Sequence, residues 1–572
     1  MLSNCVNAQR TGCLFSLFFV KMINCHLNGQ DSRPLRYSHY KNHRRMDDIH
    51  DIDKAKPNAR PTKMRIKVII ACCLAFALGN QAMATTLKIA FDTDPVSLDP
   101  HEQLSESTLQ FSHLVFDPLL RWDQNGQFEP RLATKWERID NHTMRFFLRK
   151  NVTFRTGNPF SAKDVIYTIQ RLKKSPDFRA MFDTIDTVSM VDNYTIDVHT
   201  TYTNPLLLNI MTYVFPLDKT FYQDQDQIIK YGETFASQHV SGTGPFILVN
   251  RELGSRMELD RNPHYWDKDS AGNVDKVILT PIRTDSTRLA ALLSGDVDFI
   301  FPVSPIDIER TKKVPNIQLV TLPSTRILLL HMNQKRRKEF QDIRVRKAIN
   351  LAINQSLIVD KILKGYATPA GQLSPDRFLG HINNLEPEYN ITEALALMKE
   401  AGYEDGFRIS MMAPNNRYMS DEKVAQAISA MLSKIHIVVD LKTLPKAQYF
   451  KEFDNRSADM MMLGWQSDTM DSNNLFEFII ACTDAKTGMG AYNASEYCRF
   501  NIDDDIRQAN REMNPERRLR LLQQIERTLY KDAAIVPLYW QSLTWAAKDK
   551  VKIKDIVNDQ NYPHIGDLFI EE

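Results

Sequence analysis

Residues 458–465 read ADMMMLGW. An apolar run this short and this continuous is what a β-strand covered on both faces looks like, and such strands belong to largely parallel sheets with helices packed over them. The surrounding segments keep the theme. FRISMM is a second strand, followed by the loop APNNRYM and the helix SDEKVAQAISAMLSKI, with Ser420 as its expected cap and acids in its first turn. IVVDLKTL is a third strand. Asn514-Pro515 opens a helix carrying Leu519, Leu522, Ile525 and Leu529, with Pro at the first helical position, and AIVPLYW follows as a strand. Repeated alternation of helix and strand predicts an α/β protein with largely parallel sheets.

Earlier segments add strands at TLKIAFDTD, TMRFFLRKNVTF, TIDVHTTY, GPFILVNREL and SRMELDRN, the last two joined near Gly254. Ser161 is the expected cap of a helix whose face carries Val165, Ile169 and Leu172. A helix in TDSTRLAALLSGDVDFIF stops at Gly295 and delivers a strand. One long helix is expected over 342–363, ending at Gly365, and another ends at Gly402.

Upstream lies a segment of a different kind. Arg65 and Lys67 lead an eleven-residue apolar run, Val68–Leu78, and small residues follow to Ala82-Met83-Ala84. These are the three parts of a secretory signal peptide, with a run too short to span a bilayer. Residues 1–63 show no sustained periodicity, so translation is expected to begin at Met64 and the exported chain at Thr85. The first 84 residues hold 13 of the 72 Lys+Arg and 5 of the 70 Asp+Glu, so 85–572 carries 59 against 65, a formal net charge of −6. That balance gives no nucleic-acid footprint. Only Cys482 and Cys498 remain of seven cysteines. In an oxidising compartment they read as a disulfide, the alternative being two buried thiols.

Motifs for catalysis and cofactors are missing. SGTGPF (241–246) has two glycines but no Lys-Ser/Thr, and leads into a strand; it reads as a turn. There is no G-x-S-x-G or H-E-x-x-H, and the ten histidines after residue 84 lack ligand spacing. Met460, Met461 and Met462 alternate faces on a strand and fill core. Asp503-Asp504-Asp505 reads as a solvated helix start. No catalytic residue, metal or cofactor is expected.

Eight stretches in order, PVSLDP (95–100), LRKNVTFRTGNPFSAKDV (148–165), GTGPF (242–246), RNPHYW (261–266), LLSGDVDF (292–299), DIRVRKAINLAIN (342–354), GWQSD (464–468) and AAIVPLYWQ (533–541), resemble the family 5 extracellular solute-binding proteins of peptide-type ABC importers. The resemblance implies a two-lobed α/β clamshell with an extra subdomain inserted in the N-terminal lobe. The expected division is an extension at 1–63, the signal peptide at 64–84, lobe I at 85–123 and 241–327, its inserted subdomain at 124–240, lobe II at 328–538 and a return to lobe I at 539–572. It also implies a periplasmic monomer that captures a peptide or peptide-like solute and hands it to an inner-membrane ABC permease. The family also serves sugar oligomers, opines, nickel chelates and haem, and a secreted hydrolase is the reading from another class.

Ligands of α/β sheets gather beyond the carboxyl ends of strands. Arg417 follows FRISMM and Asp468 follows ADMMMLGW. A guanidinium fork suits a carboxylate and an aspartate suits an ammonium, so the pair suits the two ends of a zwitterion. Relatives that bind short peptides place the aspartate of a G-W-x-x-D loop on the ligand amine, which Asp468 matches, and an arginine in the loop after the preceding strand on the carboxylate, which Arg417 matches approximately. Trp465, Trp540, Gln541, Ser542, Ser105 and Ser107 are expected to line the same cleft, with Tyr539 beside them.

Overall fold

The computed structural model describes residues 84–270, 272–467 and 469–571. Residues 1–63, nearly all of the signal peptide, and Asp468 lie outside them. Eleven strands form one sheet: β1 (Thr86–Phe91), β2 (Phe246–Glu252), β3 (Arg256–Arg261), β4 (Lys276–Pro281), β5 (Phe299–Phe301), β6 (Ile317–Met332), β7 (Ala367–Pro369), β8 (Phe407–Pro414), β9 (Ile437–Leu444), β10 (Met460–Gln466) and β11 (Val536–Lys548). Their spatial order is β9-β8-β10-β6-β11-β5-β1-β4-β3-β2, with β7 added to β11.

Two long strands make this one sheet out of two halves. β6 and β11 pair antiparallel from Ile317↔Lys548 to Pro323↔Ser542, lose register, and pair again from Ile327↔Trp540. On one side of that break β11 continues into the parallel set β5-β1-β4; on the other β6 continues through β10 into the parallel set β10-β8-β9. The result is a two-lobed α/β clamshell. A separate antiparallel sheet of Ala133–Arg138, Thr143–Leu148, Thr195–Thr200 and Ile185–Asp192 forms the inserted subdomain. Its helix, Ala162–Leu172, buries Val165, Ile169 and Leu172, and Asp164 accepts the N–H of Ser161 at 2.9 Å, closing the start of the helix.

The motif stretches serve as joints. Asp99 of PVSLDP is fully buried against Arg171 (2.8 and 2.5 Å), tying the first segment to the subdomain helix. Tyr265 and Trp266 of RNPHYW both donate to Asp117, at 3.0 and 2.9 Å, while the guanidiniums of Arg131 and Arg149 lie over the Trp266 ring. Gly242 and Gly244 of GTGPF lie against Val115 so closely that a Cβ at either would overlap its backbone.

Several local expectations need correction. The helix expected over 342–363 is two, Ile343–Ala352 and Gln355–Lys361, because Asn354 turns its side chain to accept the Leu357 N–H (2.8 Å) and starts the second. Ser420 does not cap its helix. It sits at φ 55°, and the carboxylate of Asp421 accepts the N–H groups of Arg417, Tyr418 and Glu422 instead, at 2.9–3.0 Å. β10 runs parallel to β8 but antiparallel to β6, and it continues through Gly464 to Gln466. That glycine is required because the Tyr418 ring lies where a Cβ would be. Asp503 is buried and accepts the Cys482 N–H at 3.0 Å, so the Asp503–Asp505 run is not simply solvated.

The methionine run divides as its alternation requires: Met461 enters one apolar cluster, Met460 and Met462 another. Cys482 and Cys498 are bonded, with Cα atoms 4.7 Å apart. Reduction should lower the melting temperature by the equivalent of about 3 kcal/mol, the chain-entropy value for a loop of this size. The large core should keep the chain folded. A calorimetric scan with and without reductant measures it; an unchanged midpoint means the bridge adds nothing.

Candidate functional site

The three parallel strands β8, β9 and β10 all point their carboxyl ends at one cleft. Beyond β8 comes Arg417, beyond β9 Lys446, and β10 itself brings Leu463, Gly464, Trp465 and Gln466 to the wall. The opposite wall comes from the start of helix α1 (Glu106–Val115), with Ser105 before it, and from Asp177, Tyr213 and Lys230 of the subdomain. A cleft lies between, and a more open groove adjoins it, sharing Glu106, Arg417, Tyr418 and Lys446.

Charge is arranged in networks that cross the cleft. Glu106 receives Arg417 at 2.7 Å, Arg326 at 2.8 Å and the Asn561 amide at 2.5 Å. Burial pushes the Glu106 carboxyl up, but the two guanidiniums prevail and hold it at about 2. Burial likewise opposes charge on Arg417, and Glu106 more than offsets it, raising its pKa. Lys446, first residue of helix α2 (Lys446–Asp454), reaches Ser105 Oγ at 3.2 Å and Ser107 Oγ at 2.9 Å. Burial, then Arg417, lower its pKa to about 7. Lys230 joins Asp177 (3.0 Å) to Asp454 (3.2 Å) of α2, and the Tyr492 hydroxyl donates to Asp177 at 2.7 Å. The lobes meet through these bonds.

Of the residues expected from sequence, Arg417, Ser105, Ser107 and Trp465 come together here. Trp465 is buried, its indole N–H donates to Asn474 Oδ1 at 2.8 Å, and its ring stacks on Phe478 and meets Tyr492 edge-on. Trp540 and Ser542 do not join them. They line a different recess with Arg377 and His381, and the Trp540 indole donates to the Leu373 carbonyl at 3.1 Å. Gln541 reaches both that recess and the adjoining groove. Pairing with β7 explains the split, because Trp540 and Gln541 sit opposite Thr368 and Ala367. Tyr539 is fully buried.

Glu106 and Lys446 are the site residues that the sequence reading passed over. Glu106 lies between the two serines it singled out. Lys446 follows β9, the third strand of the parallel set β10-β8-β9, whose carboxyl end points at the same cleft. Among the described residues no group of three or more His, Cys, Asp or Glu is placed to hold a metal ion.

Two lobes joined by crossing strands, with a cleft that charge networks draw shut, define a periplasmic-binding-protein clamshell. The model of the bacterial extracellular solute-binding proteins, family 5 (Middle) matches residues 127–487, and the chain belongs to that family. It is 26% identical over 491 residues to the di/tripeptide-binding protein 1 of Pseudomonas aeruginosa, covering 80% of this chain and 89% of that one. It is also 26% identical over 514 residues to the dipeptide-binding protein of Escherichia coli, covering 84% and 94%. The periplasmic binding protein DppA of Helicobacter pylori, solved with the peptide STSA, superposes with a TM-score of 0.77 at 26% identity, covering 86% of this chain and 99% of that one.

Proposed function

We propose that this protein is the exported receptor of an ABC importer and that its solute is a short peptide, enclosed between the lobes and handed to an inner-membrane permease. The observation that carries this is the cleft itself, spanned by two charge networks, Arg417 and Arg326 on Glu106 and Lys230 between Asp177 and Asp454. Relatives and structural neighbours that bind peptides support it. Export through residues 64–84 belongs to the same reading. We assign the hinge to the register break at 324–326 and 541, within a few residues of the boundaries expected at 327/328 and 538/539.

In this reading Asp468 takes the peptide amine, and the carboxylate lies at the cationic end where Arg417 and Lys446 stand. The neighbours of Asp468 in sequence, Trp465 and Gln466, line the cleft. Removing one partner of an enclosed charge pair costs about 2–5 kcal/mol. Asp468→Asn should therefore weaken free-amine peptides by about thirtyfold or more and leave N-acetylated peptides unchanged, measured by calorimetry on the purified protein. If the wild type binds neither form, the peptide assignment fails. If the variant binds both like the wild type, the amine anchor lies elsewhere.

A further inference from the structure

We infer that the carboxylate of the bound solute is anchored by Lys446 together with Ser105 and Ser107, and that Arg417 acts on closure of the lobes rather than on the carboxylate. This deepens the peptide reading above and rests on it.

Consider what each cation of the cleft already has. Arg326 and Arg417 share Glu106, and Lys230 lies between Asp177 and Asp454. Lys446 has no carboxylate within ion-pair distance among the described residues; its Nζ has only the two serine hydroxyls, although the residue is 7% exposed. Of the four cations lining the cleft, Lys446 is the one without a carboxylate partner among the described residues. A buried ammonium without a counter-charge is unfavourable, and an anion entering beside it removes that penalty.

The local chemistry fits a carboxylate. A serine hydroxyl accepts from an ammonium with a lone pair and still has its own proton to donate. Ser105 and Ser107 hydrogen-bond each other at 3.4 Å, which leaves one of the two hydroxyl protons to donate to an oxygen that Lys446 also reaches. Lys446 lines both the cleft and the open groove, so the position is reached from either. Other ionisable groups act on it from every side: Asp92 after β1, Glu106 on α1, Arg326 on β6 and Arg417 after β8. The two carboxylates among them favour its charge and the two guanidiniums oppose it. Glu106 is already engaged, whereas a solute carboxylate would have Lys446 as its own partner.

The test uses the full exported protein and three peptide pools of two to four residues, with affinities read by native mass spectrometry and calorimetry. One pool has free carboxyl termini, one is amidated and lacks Asp and Glu, and one is amidated but carries a single Asp or Glu. The wild type should prefer a carboxylate-bearing pool over the carboxylate-free pool by about thirtyfold or more. Whichever of the two it prefers identifies the terminal or side-chain carboxylate as the source. Lys446→Met should bring the ratio of affinities for the carboxylate-bearing and carboxylate-free pools close to one, while Lys446→Arg should retain most of the preference. Arg417→Gln should weaken all pools alike. Melting curves check folding, and Lys446→Gln replaces the methionine variant if that one does not fold. The inference is overturned if Lys446→Met keeps the preference, or if Arg417→Gln alone removes it. It is also overturned if the wild type binds all three pools equally, an outcome that leaves the peptide reading intact. Failure of the wild type to bind any pool overturns the peptide reading and the inference with it.

Discussion

Asp99→Ala is expected to cost about 3–5 kcal/mol of stability, the usual penalty for removing one partner of a buried ion pair. The side chains of Asp99 and Arg171 are 0% and 1% exposed, and the carboxylate takes two bonds from the guanidinium. Without it Arg171 keeps only neutral partners, the carbonyls of Asp226 and Gln227 and a ring nitrogen of His101. Asp99→Asn should lose nearly as much, since shape is kept and charge is not. Urea unfolding measures the loss, and hydrogen exchange in the helix Ala162–Leu172 should show it first. The exposed pair Lys135–Glu137, with side chains 65% and 40% exposed, is the control. Glu137→Ala should change stability by less than about 1 kcal/mol. Equal losses at the two sites would mean that burial does not set the cost.

Acidification should destabilise the fold through histidines that are buried uncharged. His101 and His331 are both fully buried, and burial holds each at about 3, helped by Arg171 at His101 and Arg456 at His331. An unfolded histidine titrates near 6.5. Between about pH 6.5 and 3 the unfolded chain therefore binds protons that the folded chain does not. Stability falls as pH drops through that window, by about 1.4 kcal/mol per unit for each histidine. From pH 7 to 5 the loss is about 2 kcal/mol apiece. His331 isolates the effect, because neither ring nitrogen has a hydrogen-bond partner among the described residues and the ring packs against Phe453. His331→Leu should be at least as stable as the wild type at pH 7, having removed an unsatisfied buried polar group. It should also lose about 2 kcal/mol less by pH 5. Melting temperature against pH reads both, and an unaltered acid slope in the variant would refute the assignment.

Much of the site was readable because strand ends in a parallel sheet have a predictable destination. Arg417 and Trp465 reached the cleft for that reason, and Lys446 was open to the same argument through β9. The expectation for Trp540 and Ser542 failed to bring them there because position along a strand says nothing about its lateral neighbours. The short strand β7 pairs with β11 at Trp540, and the indole turns to the Leu373 carbonyl.

What the sequence by itself determined is local. Apolar runs and helical faces decide the α/β class; Gly295, in left-handed backbone at φ 87°, stops its helix, and Asn514 caps the long helix Pro515–Asp532 by accepting the Arg517 N–H at 3.0 Å. These follow from interactions a few residues long, so their signals lie side by side in the chain. The charge networks have no such signal. Glu106 meets Arg417 across 311 residues, and Asp99 meets Arg171 across 72. Whether an arginine is a free ligand-binding fork or a closing contact depends on which carboxylate stands within about 3 Å of it. Electrostatic interaction depends on separation in space and on exclusion of water, and neither quantity has a period along the chain. Only the folding of both lobes over one cleft decides that Arg417 is matched and Lys446 is not.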